Sequence, residues 1–129
     1  MKIFDSENDT YDTSITFKTF NPPRYIGLNN ISDSIIDNAS TSYTGTEAVR
    51  IRIFMISSSQ FKYSLNAGFS YQDDIKTLVD TTTVFNLTDD EESLGISIKF
   101  TSIDNLSSGD YWEFDCCPPY ILLLSLIHI

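Results

Sequence analysis

Carboxylates come closest to a reactive set in this sequence. Asp73-Asp74 and Asp89-Asp90-Glu91-Glu92 form two runs, and Asp104 and Asp110 stand beside later turns. Hard cations take six to eight oxygen ligands, which loops can supply together. Asp89, Asp90 and Asp110 are therefore the candidate ligands of a calcium ion. No Asp-x-Asp-x-Asp-Gly loop accompanies them, and solvated acidic loops are the plainer explanation. Glycoside hydrolysis needs two carboxyl groups facing each other across a cleft, about 5–9.5 Å apart; neighbours in one loop do not make that arrangement. The single histidine is His128, which nearly removes Ser-His-Asp and Cys-His catalysis and histidine-rich zinc sites. Cys116 and Cys117 are adjacent, so their side chains diverge and offer neither a ready disulfide nor a CxxC motif. An enzyme is not expected, and no catalytic residue is assigned.

Aromatic faces are the other available chemistry, with 9 Phe, 7 Tyr and 1 Trp in 129 residues. Tyr63, Tyr71 and Tyr111 are the candidates for an exposed surface that stacks on a sugar ring or touches a partner. Gly109-Asp110-Tyr111-Trp112 has a structural explanation. Gly109 can take positive φ, Asp110 can bond the following backbone amides, and Trp112 and Phe114 share one strand face as core anchors. Tyr111 falls on the opposite face. Arg50 and Arg52 flank inward residues; they pair with acidic neighbours across strands or face a partner subunit.

The elements that must position these residues read as strands. Val49, Ile51 and Ile53 alternate with Arg50 and Arg52 over 48–54, the pattern of a half-buried strand. Ile15 and Phe17 alternate with Ser14, Thr16 and Lys18 over 13–20, and Asn21-Pro22-Pro23 ends that run. Phe61, Tyr63 and Leu65 share a face over 60–65, with a turn at Asn66-Ala67-Gly68. Thr83, Phe85 and Leu87 do so over 81–87, then Ile96, Ile98 and Phe100 over 94–101, and 111–114 form the last strand. Residues 72–80, with Ile75, Leu78 and Val79 on one helical face, are the only helix candidate, and the acidic loop at 89–92 could open a short helix instead. Six to seven antiparallel strands predict an all-β fold, a β-sandwich, with a small β-barrel as the alternative. Residues 1–42 read as an N-terminal strand and a linker at 29–42, residues 43–115 as the sandwich, and 116–129 as an apolar tail. That tail reads as a final buried strand, a partner-docking segment or an extension foreign to the domain; the last is preferred, and no function is placed there.

Eight Lys and Arg against 18 Asp and Glu give a net charge of −10. Nucleic acid is not an expected partner, because phosphate affinity rests on Lys and Arg. Adsorption to anionic membranes is disfavoured for the same reason. Residues 1–9 lack the apolar core of a signal peptide, and no run approaches the roughly 20 apolar residues of a membrane helix. The five Asn-x-Ser/Thr sites read as a consequence of composition.

Residues 43–114 carry Tyr43-Thr44-Gly45 before a strand, Phe61-x-Tyr63-Ser64 in the next, then Leu94-Gly95-Ile96-x-Ile98-x-Phe100 and Gly109-Asp110-Tyr111-Trp112-x-Phe114. In this order they resemble a β-sandwich repeat module of large bacterial, phage and viral surface and appendage proteins. The resemblance implies a structural or adhesive role in an extracellular setting or on a virion, with other structural subunits or a surface glycan as partners. It carries no catalytic residue. The alternative expectation is a carbohydrate-binding module with a loop calcium site.

Overall fold

The computed structural model describes residues 20–40 and 42–118. They form two antiparallel sheets packed face to face, the β-sandwich expected from the alternation. The described residues hold eight strands, in chain order β1 (Arg24–Tyr25), β2 (Ile36–Asn38), β3 (Val49–Met55), β4 (Gln60–Ser64), β5 (Lys76–Thr77), β6 (Val84–Asp89), β7 (Glu92–Phe100) and β8 (Tyr111–Cys116). One sheet has the order β1-β8-β3-β4-β5 and the other β2-β7-β6. The sheets do not close on each other, so the barrel alternative is not realised.

Period-two alternation in the sequence becomes the two faces of each sheet. Ile51, Ile53, Met55, Phe61, Tyr63, Trp112 and Phe114 point inward from the larger sheet, and Leu87, Ile96, Ile98 and Phe100 from the smaller; all are buried. Aromatic rings tie the layers together. Phe61 meets Phe85 edge-on at 5.0 Å and Phe100 at 5.4 Å, and Phe100 meets Trp112 at 6.0 Å. Such pairs contribute about 0.5–1.5 kcal/mol each beyond the area they bury.

Tyr63 crosses between layers with its polar end. Its hydroxyl accepts from the Thr88 amide at 3.0 Å and lies 3.1 Å from the Thr88 carbonyl, to which it donates. Full burial of a phenol is tolerated there because its hydrogen bonds are made.

Three expectations about elements differ from the structure. Residues 29–42 are not a linker: they hold a 3-10 turn at Asp33–Ile35 and strand β2, which pairs with β7 from Ile36↔Phe100 to Asn38↔Ile98. Strand β1 pairs with β8, and Trp112 Nε1 donates to the Ser32 carbonyl at 3.2 Å. The sandwich therefore begins well before Tyr43. Residues 72–80 form no helix; Lys76–Thr77 add to β4, the Leu78 amide bonds the Ser59 carbonyl at 2.7 Å, and Ile75 and Val79 are exposed. A helix this short is marginal on its own, and a free sheet edge offers the same amides better partners. The acidic run at 89–92 opens no helix either. It is a two-residue hairpin turn, with Asp89 paired to Glu92 and positive φ at Asp90 (51°) and Glu91 (71°). The strand expected over 13–20 lies outside the described residues except for Phe20, which bridges to Cys116. Beyond Pro118 the tail lies outside them too.

Candidate functional site

The outer face of the five-stranded sheet gathers the side chains with most chemistry to offer. Register fixes their order, since residues directly opposite in neighbouring strands share a face. One row runs Arg24, Glu113, Arg52, Ser64 across β1, β8, β3 and β4, and the next runs Tyr111, Phe54, Lys62 across β8, β3 and β4. Asp115 and Arg50 stand opposite each other one step further along.

The ionic rows are internally paired. Arg50 Nε lies 2.7 Å from Asp115 Oδ1, and Arg52 donates to Glu113 Oε2 at 2.8 Å through Nε and lies 2.7 Å from it through Nη2. Of the two arrangements open to these arginines, the structure shows cross-strand pairing with acidic neighbours. The Arg50 guanidinium holds the Asp115 carboxyl below the ordinary carboxylate range.

The aromatic row is open on its outer side. Phe54, Tyr71 and Tyr111 are half-buried, with ring centroids 5.8 Å apart for Phe54–Tyr71 and 6.3 Å for Phe54–Tyr111. The Arg52 guanidinium stands 4.3 Å from the Tyr111 centroid, and Lys62 Nζ stands 4.4 Å from that of Tyr71 and 5.6 Å from that of Phe54. Cations at these distances are attracted to the ring quadrupole.

Tyr71 reaches the row because the loop after β4 folds back. Ser64 Oγ accepts from the Asn66 and Gly68 amides, and the Gln72 amide bonds the Tyr63 carbonyl at 2.9 Å. Gly68 lies against the Arg52 guanidinium and takes φ of 89°, a conformation L side chains rarely adopt. Phe69 follows it with 93% of its surface exposed.

Of the three tyrosines singled out from the sequence, the structure brings Tyr71 and Tyr111 together around Phe54. Tyr63 is fully buried on the opposite face, which withdraws it from any surface contact: its place in β4 shares the parity of the core residue Phe61. Phe54 and Phe69 were missed. Phe54 had a legible signal, an apolar residue at the same parity as Arg50 and Arg52; Phe69 had none beyond being a large apolar residue in a turn.

The carboxylates proposed for calcium do not converge. Asp89 and Asp90 sit at the β6–β7 turn, and Asp89 shares a surface pocket with Val49 at the start of β3. Asp110 lies by the other end of that strand, its carbonyl accepting from the Met55 amide. Seven residues of strand separate those ends by about 20 Å. No group of three or more metal-ligating side chains occurs among the described residues.

Asp110 has a different role. It is fully buried, and its Oδ1 accepts from the Tyr25 hydroxyl and Asn29 Nδ2, each at 2.7 Å, while Oδ2 accepts from the Ser107 amide at 2.9 Å. The amide it holds precedes it, rather than following it as the turn motif suggested. Gly109 does take positive φ, at 96°. The Asp110 cluster ties the segment from β1 to the start of β8, and burial together with the Asp110 contact pushes the Tyr25 phenol above its ordinary value.

The fold defines a class, the two-sheet antiparallel sandwich with an aromatic and cationic outer face. Comparison with protein-family models, with curated proteins and with solved structures finds no match. No helix among the described residues is long and apolar enough to cross a membrane.

Proposed function

We propose that the chain is a structural or adhesive β-sandwich module of a virion or cell-surface appendage, and that it acts through the outer face of its five-stranded sheet. The observation that carries this reading is the group Tyr111, Phe54 and Tyr71 with Arg52 and Lys62, half-buried on the outer side of a sheet whose other face is core. Aromatic residues and arginine are the side chains that dominate binding energy in contact surfaces. The resemblance of residues 43–114 to a surface and appendage module supplies the setting.

A second reading rests on the same row. The rings are tilted against one another, by 56° for Phe54–Tyr71 and 34° for Phe54–Tyr111, but a single ring face can still stack on a sugar, so a surface glycan is the alternative partner, as in a carbohydrate-binding module. The calcium component of that alternative gains no support from the separated acidic loops.

The test is surface binding of the full chain to immobilised glycans and extracellular-matrix proteins. The comparison proteins are Tyr71→Ala/Tyr111→Ala and a control, Lys99→Ala, on the outer face of the smaller sheet. The expected result is a response that falls at least tenfold in the double variant and holds in the control. A response kept by the double variant, or the lack of any response from the unmodified chain, overturns the reading.

A further inference from the structure

The face described above is rich in cations for so acidic a chain. Arg24, Arg50, Arg52 and Lys62 stand on it, leaving only Lys76 and Lys99 elsewhere among the described residues. Arg50 and Arg52 have carboxylate partners, whereas Arg24 and Lys62 are in no ion pair within the described residues. Lys62 is half-buried, with its ammonium held over two rings and facing no carboxylate partner among the described residues.

The complementary surface is on the same molecule and cannot reach this face within one copy. The β6–β7 turn projects Asp89, Asp90, Glu91 and Glu92, all exposed and none in an ion pair among the described residues. It belongs to the smaller sheet, whose strands turn their inner side to the larger one. Asp89 and Glu92 are directly opposed like charges, an arrangement that destabilises a hairpin. A cationic partner relieves that repulsion.

Resting on the reading that this face is the contact surface, we infer that its occupant is a second copy of this chain, which lays its acidic β6–β7 turn against Lys62 and Arg24 beside the aromatic row. The contact joins two different patches, so it is heterologous and repeats from copy to copy unless geometry closes a ring.

Complementation by two half-defective chains tests this. Lys62→Glu spoils the face and keeps the turn; Asp90→Asn/Glu91→Gly removes two of the turn's four negative charges and keeps the face. Sedimentation equilibrium of the full unmodified chain at about 0.15 M salt, where exposed charges interact over roughly 8 Å, is expected to give a mass that rises with concentration above the 14.6 kDa of one chain. Each variant alone, shown folded by circular dichroism, is expected to stay near one chain mass. Their equimolar mixture is expected to reach twice that mass and stop, since one usable contact remains. Lys62→Gln replaces Lys62→Glu should the latter misfold. An unmodified chain that stays monomeric, variants that associate as it does, or a mixture that stays monomeric each overturns the inference. A monomeric chain that still loses glycan or protein binding in Tyr71→Ala/Tyr111→Ala defeats the second copy as occupant and leaves the proposed function standing.

Discussion

Asp110 shows how one side chain can hold several segments at once. Its two carboxyl oxygens take three donors from Tyr25, Asn29 and Ser107, so no substitute of similar size serves all of them. In Asp110→Asn an amide NH2 must face either the Ser107 amide or the Tyr25 and Asn29 donors. Leaving a buried donor unmet costs about 1–3 kcal/mol, and urea unfolding is expected to show a loss of about 2 kcal/mol at unchanged m. A change below about 0.5 kcal/mol would mean the cluster is replaceable by water. Asp115 belongs to the same scale but to solvent. Its folded value is depressed by Arg50, so the stability it contributes is present above the ordinary carboxylate value, near 3.9, and is lost as pH falls through the lowered one. The urea midpoint of Asp115→Asn is therefore expected to fall less steeply than that of the unmodified chain from pH 4 downward. Equal slopes would remove the ion pair from the acid response.

Among the elements, the β6–β7 hairpin departs furthest from local rules. Positive φ at both central residues is the type I′ geometry, which favours Asn-Gly, yet Asp90 and Glu91 occupy it. Replacing them with Asn-Gly is expected to raise stability by about 1 kcal/mol, read as a higher thermal midpoint; an unchanged or lower midpoint would place a compensating contact at the turn. In the strand beyond, Leu94-Gly95 are two extra residues between the pairs Thr88↔Ser93 and Leu87↔Ile96. Gly95, with φ of 72°, lets the Ser42 carbonyl approach where a side chain would collide. The strands themselves were legible in the sequence because Val49 to Met55 and Leu94 to Phe100 alternate cleanly. Strands β1, β2 and β5 were not, since two or three residues set no period and their place depends on the edges of β8, β7 and β4. At the candidate site, parity put Tyr111 on the face opposite Trp112, where it lies; Tyr71 was singled out by residue type alone, and Phe54 and the gathering of all three required the register of strands far apart in sequence.

At the scale of the whole molecule, residues 20–40 belong to the sandwich. They supply the Tyr25 ring that meets Trp112 at 5.3 Å, the Ser32 carbonyl on the Trp112 indole and the buried Ile36. A chain beginning at Tyr43 is expected to lose near-ultraviolet circular dichroism and to show red-shifted Trp112 emission. Retention of both signals would make the first strands accessory. The smaller sheet would then be the stable pair β6 and β7 alone, which is below the three strands that independent stability ordinarily requires.

Phe20 and Cys116 lie side by side in an antiparallel bridge, with Tyr25 and Trp112 paired at the far end of the same ribbon. Tension applied between residues 20 and 118 therefore meets that ribbon end-on. Its hydrogen bonds rupture in sequence, as a zipper opens, instead of sharing the force in shear. Single-molecule extension would then record low, successive rupture events beginning at Phe20. If units of this kind were pulled in series through these two points, they would yield lengthwise, and any resistance would have to come from sideways contacts between sheet faces.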